Sequence, residues 1–176
     1  MILNLEKLKA GRSEFWRSYA RHELDLENVP DFEVIGDIDS HVIAVKNRTN
    51  IKLTIELNYR LKLVCSRCLE EFTREFSEKT TYYLKAGKED IVEEKPLADE
   101  DIFTMYYATE ELDLKPLMRE MIILSVPMKP LCKPDCKGLC PVCGVNWNYE
   151  TCEHMGQAKP IDSRWQKLIE ISSKLK

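Results

Sequence analysis

The stretch IKLTIELNYRLKL (residues 51–63) places Ile51, Leu53, Ile55, Leu57, Tyr59, Leu61 and Leu63 at every odd position. Lys52, Thr54, Glu56, Asn58, Arg60 and Lys62 take the even ones. Strand side chains alternate between two faces, so this pattern gives one buried face and one wet face. A helix would scatter the same residues around its whole circumference. The stretch runs directly into Cys65-Ser66-Arg67-Cys68, and beyond it Phe72, Phe76, Thr80, Tyr82 and Leu84 share one parity. Residues 51–64 and 69–84 therefore read as a long antiparallel hairpin with a CxxC pair at its tip. A redox pair of the thioredoxin type sits where a strand meets a helix start, whose dipole lowers the thiol pKa. Between two strands, metal ligation is the better reading.

Upstream, Phe32–Val45 reads as strand, turn, strand around Gly36. Residues 2–8 read as a short strand or a single helical turn. Residues 13–28 read equally as helix or as a strand-containing arm. His22 and His41 lie in charged surroundings with no ligand partner nearby in sequence, and both read as surface histidines. Downstream, residues 88–113 hold ten acids against Lys88 and Lys95. No EF-hand spacing is present, so the segment reads as a solvated acidic insert with a short strand near Phe103–Tyr107. Asp113 then suits a helix N-cap, with Pro116 in the first turn. Leu114, Leu117, Met118, Met121 and Ile122 follow at helical spacing, and Pro127 ends the helix.

The remaining cysteines lie in CKPDCKGLCPVCGVNWNYETCEH, residues 132–154. Cys140-Pro141-Val142-Cys143-Gly144 has the form of a zinc knuckle: two sulfurs three positions apart, with a glycine that lets the backbone turn behind them. Cys152 and His154 form a further pair, and Cys132 and Cys136 precede the knuckle. With Cys65 and Cys68, the seven cysteines and His154 make eight soft ligands, enough for two closed tetrahedral zinc sites. Locality favours Cys140, Cys143, Cys152 and His154 as one set, with Cys65, Cys68, Cys132 and Cys136 as the other. Two further partitions stay open. One is a single local site from residues 132, 136, 140 and 143. The other is a ribbon-like pairing of 65/68 with 140/143, leaving 132, 136, 152 and 154 for a second ion. The expected cofactor is one or two zinc ions, although iron also suits four thiolates. After His154, residues 156–160 read as a linker, followed by a last helix capped by Asp162 or Ser163 and docked through Trp165, Leu168 and Ile169.

Composition suits a soluble globular chain: 176 residues, 44% hydrophobic and 32% charged. No apolar run approaches the ~18 residues of a membrane span, and the first residues lack the apolar core of a secretion signal. A cytoplasmic, reducing location is expected, where CxxC pairs favour metal over disulfide. Formal charge is −4, but residues 128–176 carry eight Lys or Arg against five acids, +3 on a remainder of −7. A basic end of this kind is compatible with RNA, through Lys129, Lys133, Lys137, Arg164 and Lys167, with Trp147 either stacking on a base or plugging the metal site. No P-loop, GxSxG, deaminase or Ser-His-Asp pattern accompanies the cysteines, so no enzymatic activity is expected.

The blocks CSRCLEEF (65–72), Asp113-Leu114 leading to Arg119-Glu120-Met121-Ile122, VPMKPLCKPDCKGLCPVCGVNWN (126–148) and Asp162-Ser163-Arg164 resemble the YceD-like family of bacterial and plastid proteins in order and spacing. That resemblance covers nearly the whole chain. It implies a non-enzymatic role in large-subunit (23S) ribosomal RNA accumulation, with ribosomal RNA or the pre-ribosomal large subunit as partner, reached directly or through a protein, and no membrane. Family members vary in how many late cysteines they keep, which implies a structural role for the cluster. Two other functions remain: an adaptor whose acidic segment binds a ribosomal protein or RNA-processing enzyme, and a thiol redox or metal-sensing protein. The expected fold is α+β. Residues 1–127 form an antiparallel β-sheet body with a long hairpin, an acidic insert (about 88–113) and one packed amphipathic helix (about 113–125). Residues 128–176 form a zinc-knuckle module followed by a short helix.

Overall fold

A computed structural model describes residues 1–48, 50–87, 102–155 and 165. The chain forms β1 (Ile2–Asn4), β2 (Gly11–Tyr19), a 3-10 turn (Arg21–Leu24), β3 (Glu33–Val34), β4 (Ile38–Lys46), β5 (Asn50–Val64), β6 (Glu71–Ala86), β7 (Thr104–Tyr107), β8 (Glu111–Asp113) and α1 (Lys115–Ser125). A six-stranded sheet runs β2-β4-β5-β6-β7, with β3 on β5, and β1 pairs with β8 in a small second sheet.

All seven odd-numbered residues from Ile51 to Leu63 are buried on the inner face of β5. Burying a Leu or Ile side chain contributes roughly 1.5–3 kcal/mol. A one-residue slip would turn all seven to water, which fixes the register. β5 and β6 pair antiparallel without interruption from Asn50↔Lys85 to Val64↔Glu71, and the CxxC pair lies in the loop between them. Leu114 at the cap of α1 and Met118, Met121 and Ile122 within it join Leu24, Leu26 and the inner faces of β4 and β5 in one core. The Tyr59 hydroxyl donates to Ser125 Oγ at 2.6 Å, and Ser125 in turn donates to Ile122 O, which ties the end of α1 to β5. Val126, held extended ahead of Pro127, ends the helix.

Several expectations need correction. The sheet is mixed, because β7 pairs parallel to β6. Parallel neighbours need a long connection, and the acidic stretch supplies its length. The short strand expected near Phe103–Tyr107 is β7, but residues 111–113 of the expected insert form a further strand, and 88–101 lie outside the described residues. Asp113 ends β8, and the cap position falls on Leu114, yet the Asp113 carboxylate still accepts the Lys115 N–H at 3.1 Å. The ambiguous 13–28 segment resolves into most of β2 and the 3-10 turn. The expected linker and the last helix lie outside the described residues except Trp165. That side chain is 56% exposed, so the docking expected of it is not seen. No described helix is long and apolar enough to cross a membrane.

His22 is exposed, but His41 is not the unpartnered surface histidine expected. Its Nε2 meets Glu14 at 2.9 Å and its Nδ1 meets Glu56 at 3.1 Å, while Trp16 stacks on the ring. Glu14 and Glu56 also pair with Arg12 and Lys79. The Glu14 hydrogen bond leads in raising the His41 pKa above its usual 6.5, against desolvation and with help from Glu56. His41 holds Glu14 below its usual 4.5, and Lys79 followed by His41 does the same for Glu56. The imidazolium contribution is thus complete below pH 6.5 and is lost as pH rises through the raised value. The carboxylate contributions are complete above pH 4.5 and are lost as pH falls through the lowered values. The cluster is expected to hold best between the two limits. In an NMR titration His41 should titrate above 6.5; a midpoint at or below 6.5 would refute the paired arrangement.

Candidate metal centres

The eight soft ligands come together as two groups. Cys65, Cys68, Cys132 and Cys136 form the first, and Cys140, Cys143, Cys152 and His154 the second; within each, the ligand atoms lie within 4.8 Å of one another. This is the partition locality favours. In the first group Cys65 Sγ lies 3.7 Å from Cys136 Sγ, and Cys68 Sγ 3.7 Å from Cys132 Sγ. A tetrahedral zinc ion with sulfurs at about 2.3 Å sets neighbouring sulfurs ~3.8 Å apart. In the second group the buried His154 Nδ1 has no hydrogen-bond partner among the described residues, a lack that a coordinated cation would remedy.

Charge supports the same conclusion. Burial pushes the Cys65 thiol up, but the backbone N–H groups of Cys68, Cys132 and Arg67 and the Cys68 side chain outweigh it and bring it to about 6. Cys140 is likewise brought to about 6, its burial outweighed by hydrogen bonds from the Cys143 and Val142 backbones. Cys68, by contrast, is pushed to about 12, first by burial and then by the neighbouring sulfurs. A buried cluster therefore supports one thiolate and resists the next. A divalent cation at the centre removes that conflict.

Local turns aim the sulfurs. In the second knuckle the Gly144 N–H donates to Cys140 O at 3.0 Å, with Gly144 at φ +75°. The hairpin loop repeats the turn: the Leu69 N–H donates to Cys65 O at 2.9 Å, and Leu69 takes the glycine's place at φ +59°. Left-handed backbone costs a non-glycine residue roughly 1–2 kcal/mol. The loop retains it, consistent with an over-determined site.

Several residues hold the two segments together. The Ser66 N–H donates to Pro130 O at 2.8 Å, and the Leu139 N–H to Arg67 O at 3.1 Å. The Arg67 guanidinium donates to Cys136 O at 2.8 Å, Arg74 to Leu131 O at 2.9 Å, and the Tyr149 hydroxyl to Glu70 at 3.0 Å. Between the second group's ligand pairs, Asn148 Nδ2 donates to Cys136 Sγ at 3.3 Å and Trp147 Nε1 to Cys152 Sγ at 3.2 Å. Adjacent residues thus serve sulfurs of different groups. Sequence reasoning missed Arg67, Gly138, Tyr149 and Asn148 as supports. Only the glycine between Cys136 and Cys140 gave a local signal, and nothing in the spacing named its partner.

Of the expected RNA-contacting residues, Lys129, Lys133 and Lys137 are exposed, Trp147 is half-buried with its indole N–H on Cys152, and Arg164 and Lys167 lie outside the described residues.

The family model described as large ribosomal RNA subunit accumulation protein YceD matches residues 53–172. Uncharacterized proteins of Mycobacterium bovis and Mycobacterium tuberculosis are 42% identical over 62 residues, 35% of this chain and 28% of theirs. A chloroplastic Zea mays protein, named as a large ribosomal RNA subunit accumulation protein homologue, is 44% identical over 41 residues, 23% of this chain and 14% of its own. The matched stretches thus span less than a third of these relatives' own length. No solved structure matches. With more than half of its length matched, in a stretch that includes nearly all of the hairpin and both cysteine groups, the chain belongs to the YceD family of large ribosomal RNA subunit accumulation proteins.

Proposed function

We propose that the protein is a non-enzymatic, cytoplasmic factor for accumulation of 23S ribosomal RNA, with two structural zinc ions that lock segment 130–155 onto the tip of the β5–β6 hairpin. The observation that carries the structural part is the pair of four-ligand groups. Catalytic zinc needs an open position, and each group here already offers four protein donors. Cys65, Cys68 and Cys136 are buried, which argues against the accessible thiolate of a redox centre. The RNA-linked part rests on the family. Lys129, Lys133 and Lys137, exposed on the docked segment, are suited to phosphate contact.

A second reading, a protein adaptor, is favoured by an apolar groove lined by Val29, Phe32, Val126 and Met128 beside the tip. Met128 is fully exposed there, and Leu124 is 81% exposed on the adjoining helix end.

Depletion of the protein in its host is expected to lower large-subunit relative to small-subunit ribosomal RNA. Wild-type protein should restore the ratio, and Cys65→Ser and Cys140→Ser should not. Purified wild-type protein should carry about two zinc ions, each variant losing one. An unchanged RNA ratio on depletion refutes the functional reading. Metal-free protein purified under reducing conditions refutes the structural one.

A further inference from the structure

The core, α1 and the 3-10 turn lie against the inner face of the sheet; the outer face is set by cross-strand register. Trp16, His41, Glu56 and Lys79 form one row across β2, β4, β5 and β6. Lys52 and Tyr83 stand opposite one another further along β5 and β6, and Lys85 stands opposite Tyr106 of β7. Trp16 is 69% exposed, with His41 stacked on one ring face, centroids 4.7 Å apart. Tyr106 is 42% exposed, and Lys52 Nζ lies 5.8 Å over the Tyr83 ring. Rings on β2, β6 and β7 thus span about 19 Å, four strand spacings of ~4.8 Å.

Charge on this face is uneven. Glu14 is engaged by Arg12 and His41, and Glu56 by Lys79 and His41. Asp39 accepts from Ser18. Lys52 and Lys85 have no ion pair among the described residues. Two of these three carboxylates are thus paired with cations, while Asp39 meets only a neutral hydroxyl. Against Glu14, Glu56 and Asp39 stand Arg12, Lys79, Lys52 and Lys85, so the surplus is positive on a chain of formal charge −4.

Ring faces interleaved with unmatched lysines suit one occupant. Unpaired bases present π-faces that stack on aromatic side chains, while phosphates between them seek cations. A duplex hides its base faces. A protein partner would be matched by a contiguous apolar patch, and such a surface lies elsewhere, around Leu124 and Met128. We propose that the outer face of the β2-β4-β5-β6-β7 sheet is a platform for single-stranded RNA, with bases on Trp16, Tyr83 and Tyr106 and phosphates on Lys52 and Lys85. The proposal rests on the RNA-linked reading above and adds a base-reading surface separate from the cysteine module.

The test is fluorescence anisotropy of the zinc-loaded full chain with a labelled, unstructured RNA of about 12 nucleotides, within the site sizes known for such surfaces. Trp16→Ala and Tyr106→Ala are each expected to weaken binding about tenfold. The double variant Lys52→Ala/Lys85→Ala should reduce the slope of log K against log salt by about 1.4. Duplex RNA should compete poorly. Because the side chains are outward-facing, melting temperatures should hold. Binding that survives these variants but is lost in Lys129→Ala/Lys133→Ala/Lys137→Ala overturns the platform and leaves the RNA-linked reading intact. A wild-type chain that binds no RNA overturns both. A benzophenone side chain in place of Trp16 that captures ribosomal protein and no RNA from purified large subunits overturns the platform in favour of protein docking.

Discussion

Stripping the proposed zinc ions from the protein is expected to release residues 130–155 while the sheet stays folded. The two regions draw on different sources of stability. The sheet has its own core, running from Leu3 to Ile122 through β4, β5 and α1. The docked segment has only a small cluster: Cys65, Cys68 and Cys136, with Leu131, Cys132, Leu139 and Phe72 half-buried against them. All three of its buried members are themselves candidate ligands. Structural zinc contributes on the order of 10 kcal/mol in small peptides at neutral pH, far more than so few apolar side chains supply. Without the proposed cation, only that small cluster is left to hold the thiols and the hydrogen bonds beside them in place. Hydrogen exchange before and after chelation reads this residue by residue. The amides of Ser66, Leu139, Cys140 and Trp147, bonded to Pro130, Arg67, Val145 and Gly138, should lose protection. Those of Ile55 and Leu57 should keep theirs. If the first set stays protected once metal content has fallen to zero, the metal is not what holds the module. If β5 exchanges as well, the sheet and module are one cooperative unit.

The sequence makes some of this legible for plain physical reasons. Period-two alternation over residues 51–63 has one structural solution, so the central strand and its buried face follow from it directly. The cysteines announce themselves because sulfur pairs at CxxC spacing are suited to a shared ion. Other features depend on register, which a single sequence does not display. His41 finds Glu56 and Glu14 only because β4 lies between β5 and β2 in one particular alignment. In the sequence those partners are 15 and 27 positions away. The parallel pairing of β7 was hidden for a similar reason: a four-residue strand after an acidic stretch carries no mark of its direction. The partition of the ligands was open because spacing gives the reach of each pair, not its destination. What decides it is the docking of segment 130–139 against Ser66 and Arg67, built from backbone groups that every residue carries.

That docking can be tested at Gly138. Its φ is +79°, and a Cβ there would lie 3.0 Å from Arg67 O and 3.2 Å from Arg67 Cβ. Arg67 is not free to retreat. Its carbonyl accepts the Leu139 N–H at 3.1 Å, and its guanidinium holds Cys136 O at 2.8 Å. Gly138 is fixed on its other side, where its carbonyl accepts the Trp147 N–H at 2.9 Å. Alanine there therefore meets two costs at once: ~1–2 kcal/mol for left-handed backbone, and displacement of a segment that carries ligands at both ends. Together they should reach about 2–3 kcal/mol, or roughly 30- to 150-fold in zinc affinity, read by chelator competition at the group containing Cys65. Gly144 supplies the control. It has nearly the same backbone, at φ +75°, but nothing lies within 4 Å of its added Cβ. Gly144→Ala should show the backbone cost alone, and show it at the group containing Cys140. A larger loss for Gly138→Ala isolates the approach of the two segments as the source of the difference. Equal losses would mean that the approach is slack and that the sulfurs alone hold the hairpin tip to the module.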